Sequence, residues 1–193
     1  MIWEGLSPPY RTIVADPPWT HRGSGNQFGA AGKARVAGYA IDSTPNSRYS
    51  TLTSTEVAAL PVIDLAAKNA HLYLWTTNSD LPDAFAVVAS WGFTYKTLLT
   101  WCKKGRIGLG AYFRGQTEHV LFGVRGSQPT LVNDELTYFT AQKGGHSAKP
   151  ATFFDLVERS SPGPYVELFA RQPRLGWDSW GYGYESSPQR TTR

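Results

Sequence analysis

The apolar positions of this chain fall into short runs of strand length, separated by polar stretches that carry helix-start signals. Tyr10–Ala15 reads as a buried strand. Thr53, with Glu56 three residues on, forms a capping box for a short helix that ends before Pro61. The pattern then predicts helix over Val62–Lys68 with Asn69 as its stop, and a buried strand over Ala70–Trp75. Ser79 or Asp80 caps a helix over Leu81–Trp91, with Pro82 in its first turn and Gly92 at its end. Phe93–Lys103 reads as a strand, Gly105–Gly115 as a glycine-bearing loop and Glu118–Val124 as a strand. Arg125–Gly145 is expected as a loop or hairpin. Ser147 and Pro150 open a helix over Lys149–Ser160, and Tyr165–Ala170 is the last strand. Strands alternating with helices predict an α/β fold with a mostly parallel sheet and helices on both faces. Ligands of such sheets sit beyond the carboxyl ends of the strands.

A chain of 193 residues supports one sizeable domain, here expected over residues 1–184. Thr20 to Arg48 is rich in Gly, Ala, Ser and Asn and too long for an ordinary connection, so it is expected to be a mobile substrate loop. The Ser-, Pro- and Arg-bearing end, 185–193, is expected to be a disordered tail. With 41% hydrophobic and 18% charged residues the composition is globular. No apolar run reaches membrane-spanning length, and the N-terminus lacks the basic and apolar regions of a signal peptide. Cys102 is the single cysteine, which excludes an internal disulfide and a thiolate metal cluster and points to a cytoplasmic setting. The net charge of +4 is unevenly placed. Lys96, Lys103, Lys104, Arg106, Arg114 and Arg125 face Glu118 alone over thirty residues, a distribution suited to a polyanion.

The chemistry concentrates at the exit of the first strand, in Asp16-Pro17-Pro18-Trp19. Neither proline has an N–H, so the backbone carbonyls before each of them are fixed and lack a neighbouring donor. The Asp16 carboxylate and a carbonyl of the proline segment can together accept both hydrogens of an exocyclic amine, while the Trp19 ring offers a face for a nucleobase. This is the composition of a pocket for an amino-bearing base. Gly23-Ser-Gly25 lacks the spacing and following helix of a dinucleotide fingerprint. His21, His71, His119 and His146 have no metal-ligand spacing, so no metal site is expected. Cys102, Trp75, Trp91, Trp101 and Trp177 read as packing or pocket wall.

Further blocks follow in order: Leu72-Tyr-Leu-Trp75-Thr-Thr-Asn78, Trp101-Cys-Lys103, Glu118-His-Val-Leu-Phe-Gly-Val-Arg125-Gly126, Ser147-Ala-Lys149-Pro150, Glu167-Leu-Phe-Ala-Arg171 and Gly176-Trp-Asp-Ser-Trp-Gly181. With the tetrapeptide they resemble the MT-A70 family of S-adenosylmethionine-dependent adenine N6-methyltransferases, over about Tyr10 to Gly181. The resemblance implies a Rossmann-like class I methyltransferase fold in permuted order, with the catalytic motif first and the cofactor-binding strand late. It implies that Asp16, Pro17, Pro18 and Trp19 are the catalytic residues and that the cofactor, S-adenosyl-L-methionine, is held by Asp16, Lys149, Glu167, Phe169, Arg171, Arg174, Gly181 and Tyr182. The base and its polymer would meet Trp19, Glu118 and Ser147, with Lys103 and Arg114 on the basic stretch.

The resemblance also departs in one place. The family usually carries Asn, then Glu or Gln, after the glycine that closes the Trp-Asp-Ser-Trp-Gly block. Tyr182 and Gly183 stand there in this chain, which leaves Tyr182 to stack on or hydrogen-bond the adenosine. The chain begins just before the first strand, like a minimal prokaryotic or phage-type member, which favours DNA as substrate. RNA is the alternative polymer, cytosine N4 is the alternative amine, and a weakly catalytic nucleic-acid-binding partner subunit is the alternative role. A monomer or homodimer is expected, with a methyltransferase-like partner subunit as a further option. The target sequence is not legible.

Overall fold

In the computed structural model the described residues are 2–20, 33–36, 39–42, 51–105, 113–143 and 149–181. The chain opens with β1 (Tyr10–Ala15), followed by β2 (Lys33–Val36) and β3 (Tyr39–Asp42), which pair with each other as a separate antiparallel ribbon. These two strands fall within the 20–48 stretch expected to be a mobile substrate loop, of which 21–32, 37–38 and 43–48 lie outside the described residues. Then come α1 (Ser54–Ala58), β4 (Ala66–Thr76), α2 (Leu81–Ser90), β5 (Thr94–Lys104), β6 (Thr117–Arg125), β7 (Tyr138–Gln142), α3 (Ala151–Ser160), β8 (Tyr165–Leu168) and β9 (Trp177–Trp180).

Seven strands form one sheet in the order β7-β5-β6-β4-β1-β8-β9. The sheet is mixed rather than uniformly parallel. β6 runs antiparallel to both β4 and β5, while β1 is parallel to β4 and β8, β9 is parallel to β8, and β7 is parallel to β5. The physical reason is local: β5 and β6 are successive strands whose connection returns the chain alongside itself, and antiparallel neighbours need no helical crossover. The same topology corrects the hairpin expected over 125–145, because β7 pairs with β5 and not with β6.

Successive residues of β1 serve opposite faces, as the pleat requires. Ile13 and Ala15 join a core with Leu72 and Leu74 of β4, Val57 of α1 and Ala84, Val87 and Val88 of α2. Val14 joins the other core, with Tyr73 and Trp75 of β4, Val120 and Phe122 of β6, and Phe153, Phe154, Leu156 and Val157 of α3. The strands are apolar on both faces in the centre, which is why they read as continuous apolar runs.

The capping box forms as read: the Thr53 side chain accepts the Glu56 N–H at 3.2 Å and the Glu56 carboxylate accepts the Thr53 N–H at 2.9 Å. The helix expected over Val62–Lys68 does not. A single 3-10 turn covers Val62–Asp64, and β4 starts at Ala66 because β1 captures the backbone there, with the Tyr10 N–H on the Leu65 carbonyl at 2.8 Å. Asn69 is therefore a strand residue, and its side-chain oxygen accepts the Ser127 N–H at 3.1 Å, closing the turn where Gly126 takes φ +66°. β8 stops at Leu168, two residues short of expectation, because Phe169 turns into the left-handed region with φ 65°. β9, which the sequence reading missed, forms the sheet edge beside it. No helix among the described residues is long and apolar enough to cross a membrane.

Candidate active site

Asp16 lies one residue past β1, where its N–H still reaches the Leu168 carbonyl of β8 at 3.3 Å. Pro17 and Pro18 end the ladder, since neither has an N–H to continue it. Their carbonyls are not without partners, which for Pro17 is contrary to the sequence expectation. The Pro17 carbonyl accepts the Trp19 N–H at 2.9 Å and the Pro18 carbonyl accepts the Leu52 N–H at 2.8 Å. Thr20 returns a bond to the Leu52 carbonyl at 2.9 Å, so the whole turn is clamped. Trp19 is 6% exposed, and its indole N–H donates to the Trp75 carbonyl at 2.9 Å. In this structure its ring anchors the motif to β4 and presents little open face.

Asp16, Glu118 and Glu167 share the face of the sheet covered by α3, as their registers with Val14, Trp75 and Trp101 require. Lys149, just before α3, reaches into the group they form. Its ammonium lies 2.7 Å from Asp16 Oδ2 and 3.4 Å from Glu118 Oε2, and 4.9 Å over the Trp75 ring. Lys103 closes the chain of charges from the other side, 2.6 Å from Glu118 Oε1 and 5.2 Å over the Trp101 ring. The four side chains are 11–22% exposed, so the network is mostly shielded. Burial alone would raise the Glu118 carboxyl, but Lys149 and Lys103 outweigh it and hold Glu118 below the ordinary carboxylate range.

Glu167 stands differently. Burial first, and then the charge of Asp16, push its carboxyl up to about 7, against the pull of Arg174, Lys149 and Arg171. It lies in register between Val14 of β1 and Ser179 of β9. Ser179 is 3% exposed, and its hydroxyl is buried with no protein partner among the described residues. Beyond these strands the chain makes a tight crossing. Ala170 donates its N–H to the Trp180 carbonyl at 2.9 Å, and a Cβ on Gly181 would stand 2.0 Å from the Ala170 carbonyl oxygen. Phe169 meets Trp180 edge-on at 5.6 Å. Arg174 lies 3.9 Å over the Phe154 ring, and Arg171 is exposed on the same turn.

The structure thus brings together Asp16, Lys103, Glu118, Lys149 and Glu167, and gathers Phe169, Arg171, Arg174 and Gly181 on the β8–β9 turn. Arg114 is exposed on the β5–β6 connection, outside the charge network described. Ser147, Tyr182 and Gly183 lie outside the described residues. Sequence reasoning missed Ser179, hidden in the middle of Trp-Asp-Ser-Trp-Gly; alternation places it on the same face as Trp177, a signal that is readable only once β9 is known to be a strand.

Comparison with known proteins gives the family of the chain as a whole. The MT-A70 family profile matches residues 10–183. The type II methyltransferase M.MunI of a Mycoplasma species is 33% identical over 178 residues, covering 89% of this chain and 76% of the relative. A fungal N6-methyladenosine RNA methyltransferase, MTA1 of Cryphonectria parasitica, is 26% identical over 188 residues, 91% of this chain and 52% of the relative. The human N(6)-adenine-specific methyltransferase METTL4 is 25% identical over 192 residues, 89% of this chain and 37% of the relative. The chain spans most of the first of these and about half or less of the other two.

Proposed function

This chain belongs to the MT-A70 family, and on that premise we propose that it methylates the N6 amino group of adenine in DNA, using S-adenosyl-L-methionine. The observation that carries the reading is the placement of Asp16: a shielded carboxylate on a clamped turn at the carboxyl end of β1, beside Lys149 and Glu118. The DNA assignment rests on the 33% identity to the type II methyltransferase, and the adenine-specific human relative supports the choice of base.

The residues present fit the cofactor. Ser179 supplies a buried hydroxyl in need of a partner, next to the buried Glu167 carboxyl. Gly181 lets its segment pass directly against the Ala170 backbone, which fixes the turn that carries Phe169, Arg171 and Arg174. Lys149 supplies a cation for a carboxylate, and Arg171 and Arg174 supply donors on the β8–β9 turn. When bound, the cofactor supplies a methyl group on a positively charged sulfur, so no covalent nucleophile is required of the protein.

The protein's own part is positioning. Asp16 accepts an N–H of the amine and orients the nitrogen lone pair. The proline turn, held by Leu52 and by the Trp19–Trp75 bond, fixes where that carboxylate stands. Holding the reacting atoms in line is worth up to several kcal/mol, on the order expected for an oriented bimolecular step. An adenine inside a duplex must leave the stack to reach this pocket, at a few kcal/mol. The Rossmann-like class I fold in permuted order is part of this reading, supported by the core on either side of β1 and by Asp16 and the β8–β9 turn meeting at the same strand ends.

The test is methyl transfer from labelled S-adenosylmethionine to duplex DNA, single-stranded DNA and RNA in parallel, followed by nucleoside digestion and mass spectrometry. N6-methyladenine in DNA, absent with Asp16→Ala, is the expected outcome. Equal product from the variant would overturn the role of Asp16. Product in RNA alone would move the polymer to RNA, a second reading that the fungal relative favours. No product in any pool would favour a nucleic-acid-binding partner subunit.

A further inference from the structure

On the face of β6 opposite Glu118, His119 makes two side-chain bonds that the proposed chemistry does not use. Its Nδ1 lies 3.1 Å from Thr100 Oγ1 of β5, and its Nε2 lies 2.9 Å from Asn78 Oδ1, just past β4. Asn78 in turn donates from Nδ2 to Thr117 Oγ1 at 3.1 Å. For a neutral ring, one proton arrangement satisfies all three contacts. An amide oxygen cannot donate, so Nε2 carries the hydrogen to Asn78; Nδ1 is then an acceptor, and Thr100 donates to it. With the ring neutral the network runs in one direction, Thr100 to His119 to Asn78 to Thr117. Burial keeps this ring neutral by lowering its pKa, against the opposing charge of Glu118.

The position of this strap gives it a consequence. His119 is paired in the sheet with Thr76 of β4 on one side and Thr100 of β5 on the other. These are rungs at the site end of the three strands that carry Trp75, Trp101, Lys103 and Glu118. Strand ends fray where no later rung holds them, and Thr76–His119 is the last rung between β4 and β6, whereas β5 and β6 stay paired through Cys102–Thr117. Side chains alternate across the sheet, so a bond that fixes His119 on one face fixes the direction of Glu118 on the other.

We infer that His119 is a positioning residue: with Asn78 and Thr100 it locks the ends of β4, β5 and β6 so that Glu118 meets Lys149 and Lys103. The inference rests on the proposed reaction for its kinetic consequence, and on geometry alone for its structural one.

Two measurements on the full-length protein test it. The first needs no activity. The Glu118 carboxyl is followed by carbon NMR in wild type, His119→Ala and His119→Gln. The groups facing it are Lys149 and Lys103, with Asp16 beyond Lys149. In wild type it titrates below 4.5; in His119→Ala it moves up, and in His119→Gln, whose amide keeps the donor to Asn78, it moves back toward wild type. An unmoved Glu118 titration in His119→Ala overturns the inference, whatever the protein methylates. The second is a double-mutant cycle on methyl transfer. His119→Ala is expected to lower kcat about tenfold with KM for cofactor unchanged, and to add almost nothing on top of Glu118→Gln, as coupled residues in one network behave. Additive losses in the cycle would overturn it. A wild type without methyl transfer would remove the proposed function but leave the NMR result to decide the positioning role.

Discussion

Lys149 and Asp16 meet at 2.7 Å across the gap between the start of α3 and the end of β1, and each is nearly buried. The pair joins the two ends of the site: the proline turn proposed to hold the amine, and the helix start proposed to face the cofactor. A second carboxylate, Glu118, lies 3.4 Å from the same ammonium. Removing either member of a shielded pair leaves an uncompensated charge, which costs more than the pair contributes.

Asp16→Asn should therefore lower kcat by about a thousandfold, and Lys149→Gln by about a hundredfold, the range seen when one oriented polar group is removed from a reacting centre. Steady-state kinetics of both variants checks the order. Asp16→Asn keeps the shape but leaves Lys149 with Glu118 as its remaining partner, so its melting temperature should fall below that of wild type while the fold is kept. If Asp16→Asn kept most of its activity, the carboxylate would not be what orients the amine.

Glu167 makes stability depend on pH. Its carboxyl stands at about 7 in the folded protein, against an ordinary value of 4.5, because of burial and then Asp16. A carboxyl raised by folding binds its proton more tightly in the native state. The resulting stabilisation is complete below pH 4.5, is lost as pH rises to about 7, and is gone above it. Glu167→Gln removes this dependence. The variant should be more stable than wild type at pH 8 by about 1–3 kcal/mol, with the gap closing by pH 5. Urea unfolding at the two pH values measures it, and a gap that widens toward acid would contradict the assignment.

Much of this architecture is readable in the sequence where local chemistry decides. Thr53 and Glu56 specify their own capping box, and Asp16-Pro17-Pro18 ends β1 because prolines cannot extend a ladder. The misreadings have one physical source, the partner strand. Ala66–Lys68 carry helix-compatible residues, yet β1 draws Ala66 into the sheet, because pairing and burial outweigh weak intrinsic preference. β9 was illegible for the same reason: Trp177–Trp180 is too short to declare itself without β8 beside it. At the site, the residue types of Asp16, Glu118 and Lys149 were legible. The burial of Trp19 was not, since an indole reads alike as wall or platform until Trp75 is placed beneath its N–H.

That bond yields a prediction of its own. Trp19→Phe keeps the buried ring but deletes the donor to the Trp75 carbonyl. The expected loss is about 1 kcal/mol of stability, the usual worth of one such hydrogen bond. Because the same bond ties the proline turn to β4, KM for the nucleic acid should rise while KM for the cofactor holds. Trp19→Ala, which also opens a cavity, should cost about 3–5 kcal/mol. Denaturant titration of the two variants separates the bond from the packing.

Gly181 supplies the sharpest steric test. A methyl group there would stand 2.0 Å from the Ala170 carbonyl oxygen and 2.8 Å from the Ala170 nitrogen, both backbone atoms that cannot swing aside. Gly181→Ala must therefore part the crossing of the two chain segments and break the Ala170–Trp180 bond of 2.9 Å. The strain falls on the turn that carries Phe169, Arg171 and Arg174, and not on the β1 turn that carries Asp16. KM for S-adenosylmethionine should rise about tenfold or more, because a small displacement of a binding turn is enough to misplace its donors. KM for the nucleic acid should change little. Isothermal titration with the cofactor checks this directly: unchanged affinity in Gly181→Ala would mean that the β8–β9 crossing is structural and that the cofactor lies elsewhere.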